Sequence, residues 1–265
     1  MTTVAKAALT HFFDQLSNTS NRILLLDYDG TLAPFRVQRD RALPYPEVAP
    51  LIDRIIASGT RVVLISGRAA KEVRHLCGIQ HHPEIWGSHG LERLLPDGSY
   101  HIEQISSQEE AGIANAAHYL RERGWEQHME MKAGGVALHW RGLPESQAER
   151  MKQNVEQAWR ELLLVYPLQL LNFDGGVEVR VQGKDKGKAV GAILGESNPN
   201  AVIAYLGDDR TDEDAFRTLK GRGLTVLVRD QFRSTLADIQ LRPPQELLQF
   251  LRDWLSASGR TPDAN

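Results

Sequence analysis

Two carboxylates stand at the end of an apolar run in this 265-residue chain, where Arg22-Ile23-Leu24-Leu25-Leu26 leads without a break into Asp27-Tyr28-Asp29-Gly30-Thr31. If the extended geometry persists, Asp27 and Asp29 point the same way, and Gly30 lets the chain turn close to a bound group. One carboxylate can then attack while its neighbour handles protons. A second apolar run, Arg61 to Ile65, ends in Ser66-Gly67-Arg68, and a third, Ala201 to Leu206, ends in Gly207-Asp208-Asp209. Lys186 precedes Gly187 at the start of a helical pattern. Together these supply what hydrolysis of a phosphate monoester through a covalent intermediate requires. Asp27 suits the nucleophile, giving an aspartyl phosphate, and Asp29 suits a general acid that becomes a general base. Ser66 and Lys186 suit ligands of the phosphoryl oxygens. Asp208 and Asp209, crowded with Asp27, would repel a dianionic substrate unless a divalent cation were present. Hard oxygen donors with no His or Cys cluster nearby favour Mg²⁺.

The elements that must position these groups follow from hydrophobic patterning. Short apolar runs bounded by polar residues read as central strands of a parallel sheet, and ligands bind beyond the carboxyl ends of such strands. Glu47 to Ala57 carries helical spacing and stops at Gly59, so the first two strands and this helix form a βαβ unit. From Leu91 to Val181 the texture changes to hairpin-like strands and two amphipathic helices, which predicts an inserted domain. Pro96-Asp97-Gly98 and Asp174-Gly175-Gly176 read as its turns. Ala148, Met151, Val155, Ala158, Leu162 and Val165 form a helical stripe that should pack on the insert's own sheet. The other face of that sheet is left for a ligand. The expected organisation is core 1–90, cap 91–182 and core 183–265, with the last ten residues a mobile tail.

Composition narrows the classes. A formal net charge of −3, from 31 basic and 34 acidic residues, gives no electrostatic case for nucleic acid or an anionic membrane. The single cysteine, Cys77, reads as a small core residue and excludes a disulfide within the chain. No segment approaches the roughly 18 apolar residues of a membrane span, and Met1 to Leu16 lacks the apolar core of a secretory signal. A cytoplasmic protein is expected. Competing local readings stand beside the chemical ones. Asp27 to Thr31 is also an Asp-rich turn, Asp212 and Glu213 read as caps of the helix through Phe216, and Arg68 reads as a partner of a helix end or core carboxylate. Lys184, Lys186 and Lys188 could form a solvated basic face.

The order DxDGT, SGR, a Lys-Gly pair after an insert, then GDDxTDExxF resembles the haloacid dehalogenase superfamily of phosphatases. Gly87-Ser88-His89-Gly90-Leu91-Glu92, Lys132, Val136 to Arg141, and Val177-Glu178-Val179-Arg180 narrow the resemblance to its trehalose-6-phosphate phosphatase family, from about Leu24 to Phe216. One departure lies at Val181-Gln182-Gly183, where many relatives have a proline and a basic residue before the glycine. The resemblance implies an α/β, Rossmann-like core with an inserted α+β cap, and hydrolysis of trehalose 6-phosphate in trehalose biosynthesis. It makes Asp27 the nucleophile, Asp29 the acid/base, and Ser66 and Lys186 the phosphate ligands. The Mg²⁺ ligands are then Asp27, the backbone carbonyl of Asp29, and Asp208, with Asp209 in support. It further implies that Glu130, Lys132, Arg141 and Glu178 contact the sugar, where cross-strand charge pairing is the competing explanation. His89 and His139 are expected to serve turn and packing. The expected partner is a small sugar phosphate, with functional coupling to trehalose-6-phosphate synthase. Alternatives are a phosphatase for mannosyl-3-phosphoglycerate or glucosyl-3-phosphoglycerate, or a non-catalytic domain that binds sugar phosphate.

Overall fold

The computed structural model describes residues 3–36, 38–173 and 175–259. The elements in chain order are α1 (Thr3–Ser17), β1 (Arg22–Leu26), α2 (Val48–Ala57), β2 (Arg61–Ile65), α3 (Ala70–Leu76), β3 (Glu84–Gly87), β4 (Glu92–Leu94) and β5 (Tyr100–Ile102). They continue with α4 (Ser107–Glu122), β6 (Met129–Lys132), β7 (Gly135–His139), α5 (Glu145–Leu162), β8 (Leu168–Phe173) and β9 (Gly176–Val181). The chain then runs through α6 (Lys186–Glu196), β10 (Val202–Gly207), α7 (Glu213–Leu219), β11 (Leu224–Val228), β12 (Ile239–Leu241) and α8 (Gln245–Ser258).

The chain divides into two units, residues 1–101 with 185–265 and residues 102–184. In the larger unit a single eight-stranded sheet has the order β12-β11-β10-β1-β2-β3-β4-β5. The pairs from β12 through β3 are parallel, and β4 pairs antiparallel with β3. Strand periodicity sends alternate residues to opposite faces. Leu24, Leu26, Val62 and Leu64 pack in one apolar cluster with residues of α1, α2, α3 and α8, whereas Ile23, Leu25, Val63 and Ile65 pack in another with α6 and α7. This two-sided burial explains why β1 and β2 are apolar at every central position. Cys77 lies in the first cluster, fully buried.

The units change over at 101/102 and 184/185, where the sequence pattern placed the boundaries at 90/91 and 182/183. The turn at Pro96 to Gly98 joins β4 to β5 at the edge of the larger sheet, so this hairpin extends the core rather than opening the insert. Such membership depends on pairing with β3, which local composition does not encode. The tail also differs: Ser256 to Ser258 end α8, and Arg22 donates to the Ser258 carbonyl at 3.0 Å. Residues 260–265 of the expected tail lie outside the described residues.

The smaller unit is a four-stranded antiparallel sheet, β6-β7-β9-β8. A capping box starts α4, in which Ser106 and Glu109 each accept from the other's backbone. Met151, Val155 and Trp159 are the buried residues of α5, and Trp159 donates to the Ala116 carbonyl of α4 at 3.3 Å. Val165, expected in that stripe, lies beyond the helix and is 71% exposed. Trp159 occupies the face instead. Of the predicted second turn, Asp174 lies outside the described residues and Gly175 has φ +80°. Among the described residues no helix is long and apolar enough to cross a membrane.

Candidate active site

The carboxyl ends of β1, β2 and β10 carry the polar clusters, and adjacency of β10, β1 and β2 in the sheet brings those ends to one edge. Asp27 continues the ladder one step beyond β1, its N–H donating to the Leu206 carbonyl at 2.8 Å. Its side chain is buried, with Oδ1 accepting from Lys186 Nζ at 2.6 Å and Oδ2 from Thr31 Oγ1 at 3.0 Å. Thr31 thus orients the carboxylate, a part that its place in the motif did not reveal. Gly30 turns the chain at φ +82°, and a Cβ there would fall 2.1 Å from Asp208 Oδ2. Only glycine lets the two strand ends approach this closely.

Lys186 is the one buried member of its basic trio. Asp185 caps α6 by accepting from the Lys188 N–H at 2.8 Å, which makes Lys186 the first helical residue. Its ammonium is shared between Asp27 and Asp212, the latter at 2.8 Å. Burial alone would lower its pKa, but Asp212 and Asp27 more than reverse this and hold the charge firmly on. Lys188 is exposed, and Lys184 pairs with Glu103 in the smaller unit.

Asp212 is the residue whose role local reasoning missed. It is fully buried, and it accepts from Lys186, from the Tyr205 hydroxyl at 2.6 Å, and from the N–H groups of Asp208 and Asp209 at 3.1 and 3.0 Å. A capping carboxylate and a site carboxylate look alike in sequence. Only the burial of Tyr205 and Lys186 around it separates the two.

Asp27, Asp208 and Asp212 can bring one oxygen each within 4.8 Å of the others. Loss of water on burial pushes Asp27 up to about 7, against the pull of Lys186 and with added repulsion from Asp212. Burial, then repulsion from Asp27 and Asp212, raises Asp208 well above the ordinary carboxylate range. An all-oxygen donor set with this excess of negative charge suits a hard divalent cation such as Mg²⁺. Asp209 is half-buried and stands beside this group rather than in it.

Asp29 stands apart through its partner. Both of its oxygens accept from Arg68, which also donates to Glu72 and to the Arg39 carbonyl at 3.0 Å. Arg68 is therefore a carboxylate partner, one of the two structural readings open to it. Its backbone N–H donates to Ser66 Oγ at 3.1 Å, leaving that hydroxyl its hydrogen to give. The loop carrying Ser66 is braced by the His89 N–H, which donates to the Ser66 carbonyl at 2.9 Å from a left-handed turn with φ +47° at Ser88 and +57° at His89.

In the smaller unit, register places Glu130, Ala137 and Glu178 side by side across β6, β7 and β9. Lys132 donates to Glu178 at 2.7 Å and lies 3.9 Å from Glu130, which is hydrogen-bonded to His139 Nε2 at 2.8 Å. The charges on this face thus pair with one another; Glu178 is buried, and the side chain of the half-buried Lys132 is largely covered. Arg141 follows β7 and packs against Gly175. His139 is more than a packing residue, since it joins this network as well as lying 5.2 Å from the Phe173 ring.

A family model described as trehalose-phosphatase matches residues 25–242. The chain belongs to the trehalose-phosphatase family. This trehalose-phosphatase-family protein is a phosphatase. A trehalose 6-phosphate phosphatase of Zea mays is 30% identical to it over 280 residues, covering 96% of this chain and 75% of that one. The solved C-terminal domain of the C. albicans trehalose-6-phosphate phosphatase superposes with a TM-score of 0.77 at 19% identity, over 96% of this chain and 97% of that one. A phosphatase of the haloalkanoate (HAD) enzyme superfamily from Bacteroides thetaiotaomicron gives a TM-score of 0.60 at 17% identity, over 88% of this chain and 94% of that one. The fold is that of this superfamily, a parallel-sheet core with an inserted α+β unit.

Proposed function

We propose that this family member hydrolyses trehalose 6-phosphate to trehalose and phosphate. The observation that carries the chemistry is Asp27 at the end of β1, hydrogen-bonded by Lys186 and Thr31 beside Asp208 and Asp212. In this mechanism a carboxylate oxygen of Asp27 attacks phosphorus, the bond to the ester oxygen breaks, and Asp29 gives that oxygen its proton. Asp29 then takes a proton from water, whose oxygen attacks the aspartyl phosphate and returns Asp27 as a carboxylate with release of phosphate. Lys186 and Ser66 neutralise and hydrogen-bond the phosphoryl oxygens throughout. Asp27, Asp208 and the Asp29 backbone carbonyl would hold Mg²⁺, with Asp209 in support and Asp212 beside them, and the bound cation supplies positive charge between nucleophile and phosphate.

The polar face of the smaller unit is assigned to the sugar, with Glu130, Lys132, Arg141 and Glu178 exchanging bonds with each other for bonds to hydroxyls. The supplier of such a substrate is a trehalose-6-phosphate synthase. A phosphate-release assay over a panel of sugar phosphates tests the assignment, and trehalose 6-phosphate should give the highest kcat/KM. Preference for mannosyl-3-phosphoglycerate or glucosyl-3-phosphoglycerate would overturn the substrate. Absence of turnover on the whole panel and on small aryl phosphates would overturn the enzyme.

A further inference from the structure

The acidic turn after β10 is gripped from behind by the segment joining β11 to β12. Arg233 of that segment donates through Nη2 to the Asp209 carbonyl at 2.9 Å, and Arg229 donates to the Asp208 carbonyl at 3.4 Å. Arg233 Nη1 donates to Glu213 Oε1 and to the Ser234 carbonyl, while Glu213 Oε2 accepts from the Leu236 N–H at 2.8 Å. Glu213, the first residue of α7, is thereby pinned on both oxygens and is not one of the clustered carboxylates. It does not act merely as the local helix cap that its position suggests.

Asp27, Asp208 and Asp212 are clustered carboxylates that repel one another when ionised, and opening of the turn at residues 208–212 would separate them. Such opening would have to break the Arg233 bonds to Asp209 and Glu213. The guanidiniums also bring positive charge to the backbone behind the acidic turn. A cation site is tight when its ligands need little rearrangement, and groups that orient ligands matter nearly as much as the ligands. We propose that Arg233 and Glu213 are positioning residues that hold the turn at Asp208 to Asp212 closed and so set the affinity of the phosphatase for its divalent cation. This rests on reading the carboxylate cluster as a cation site.

The test is Mn²⁺ binding to the full chain, followed by electron paramagnetic resonance with Mg²⁺ as competitor, beside thermal melts. Arg233→Met and Glu213→Gln should each weaken both ions about 10- to 100-fold. The double variant should be little worse than the weaker single, because the two act as one pair. Arg233→Lys should fall between, since an ammonium lacks the planar fork that serves both acceptors. At saturating Mg²⁺, kcat should return towards the unmutated value. Arg217→Met is the control, removing an exposed guanidinium that pairs with Asp214, and should leave affinity unchanged. If Arg233→Met does not fold, Arg233→Lys and Glu213→Gln decide the matter. Lower melting temperatures with unchanged affinity would reduce the pair to a structural staple and overturn the proposal, as would an equal loss in Arg217→Met. Absence of Mn²⁺ and Mg²⁺ binding by the unmutated protein would instead remove the cation site itself, and this inference with it.

Discussion

Arg68 holds both oxygens of Asp29, through Nε at 2.6 Å and Nη2 at 2.7 Å. Both oxygens are taken up by guanidinium donors in this fork, so Asp29 must turn away from Arg68 before it can reach a leaving group. The leaving group exposes this step. With Asp29→Asn, turnover of trehalose 6-phosphate should fall roughly 10²- to 10⁴-fold, the usual worth of a general acid and base. With 4-nitrophenyl phosphate, whose leaving group needs no proton, the same variant should release about one nitrophenolate per site rapidly and then stall at the aspartyl phosphate. Stopped-flow absorbance measures this, and undiminished steady turnover would remove Asp29 from the role.

Asp27→Asn should abolish phosphate release while circular dichroism is unchanged. It should also stabilise the protein in chelator. The folded pKa of Asp27, about 7, lies above the roughly 3.9 of an unfolded aspartate, so its contribution is full below about pH 4 and is lost as pH rises through 7. Asparagine does not ionise. The variant should therefore melt higher than the unmutated protein at pH 8, with the gap closing towards pH 4, and an equal gap at both would contradict the burial cost assigned to this carboxylate.

Much of this site is visible in sequence because its strands are buried on both faces. Arg22 to Leu26 and Arg61 to Ile65 are apolar without alternation, and the polar residues that follow must then lie at the sheet edge. What was not visible depends on contacts from far away. Asp212 has the local form of a helix cap, and only Lys186, 26 residues earlier, and Tyr205 reveal it as part of the site. The β4–β5 hairpin reads as the start of an insert until pairing with β3 claims it for the core. Glu178 and Lys132 were singled out by resemblance alone, and their mutual pairing needed the antiparallel register.

Exhaustive chelation should stop turnover, Mg²⁺ should restore it, and Zn²⁺ should not be needed. Asp208→Ala should raise the Mg²⁺ required or prevent rescue. Asp212→Asn should do this too, and in addition weaken the hold on Lys186, lowering kcat even at saturating Mg²⁺. Phosphate release against Mg²⁺ concentration separates the two effects, and full activity in metal-free enzyme would refute the assignment.

Glu178→Ala removes the 2.7 Å partner of Lys132. On trehalose 6-phosphate, kcat/KM should drop roughly ten- to hundredfold, the worth of one polar contact at about 1–3 kcal/mol. Arg141→Ala should behave alike. A small aryl phosphate should be hydrolysed almost as before. Equal losses on both substrates, assayed on the same preparations, would assign these side chains to the fold.

The position of β10 between β1 and β11 has a consequence for synthesis of the protein. Asp27 leaves the ribosome about 180 residues before Asp208, and until β10 follows, β1 has β2 on one side and a bare edge on the other. Residues 102–184, contiguous in the chain, contain all the strands of their own sheet and can pair before that moment. A nascent chain halted between 184 and 202 would thus carry a finished insert beside an open strand edge, the feature through which unfinished chains recruit one another into aggregates.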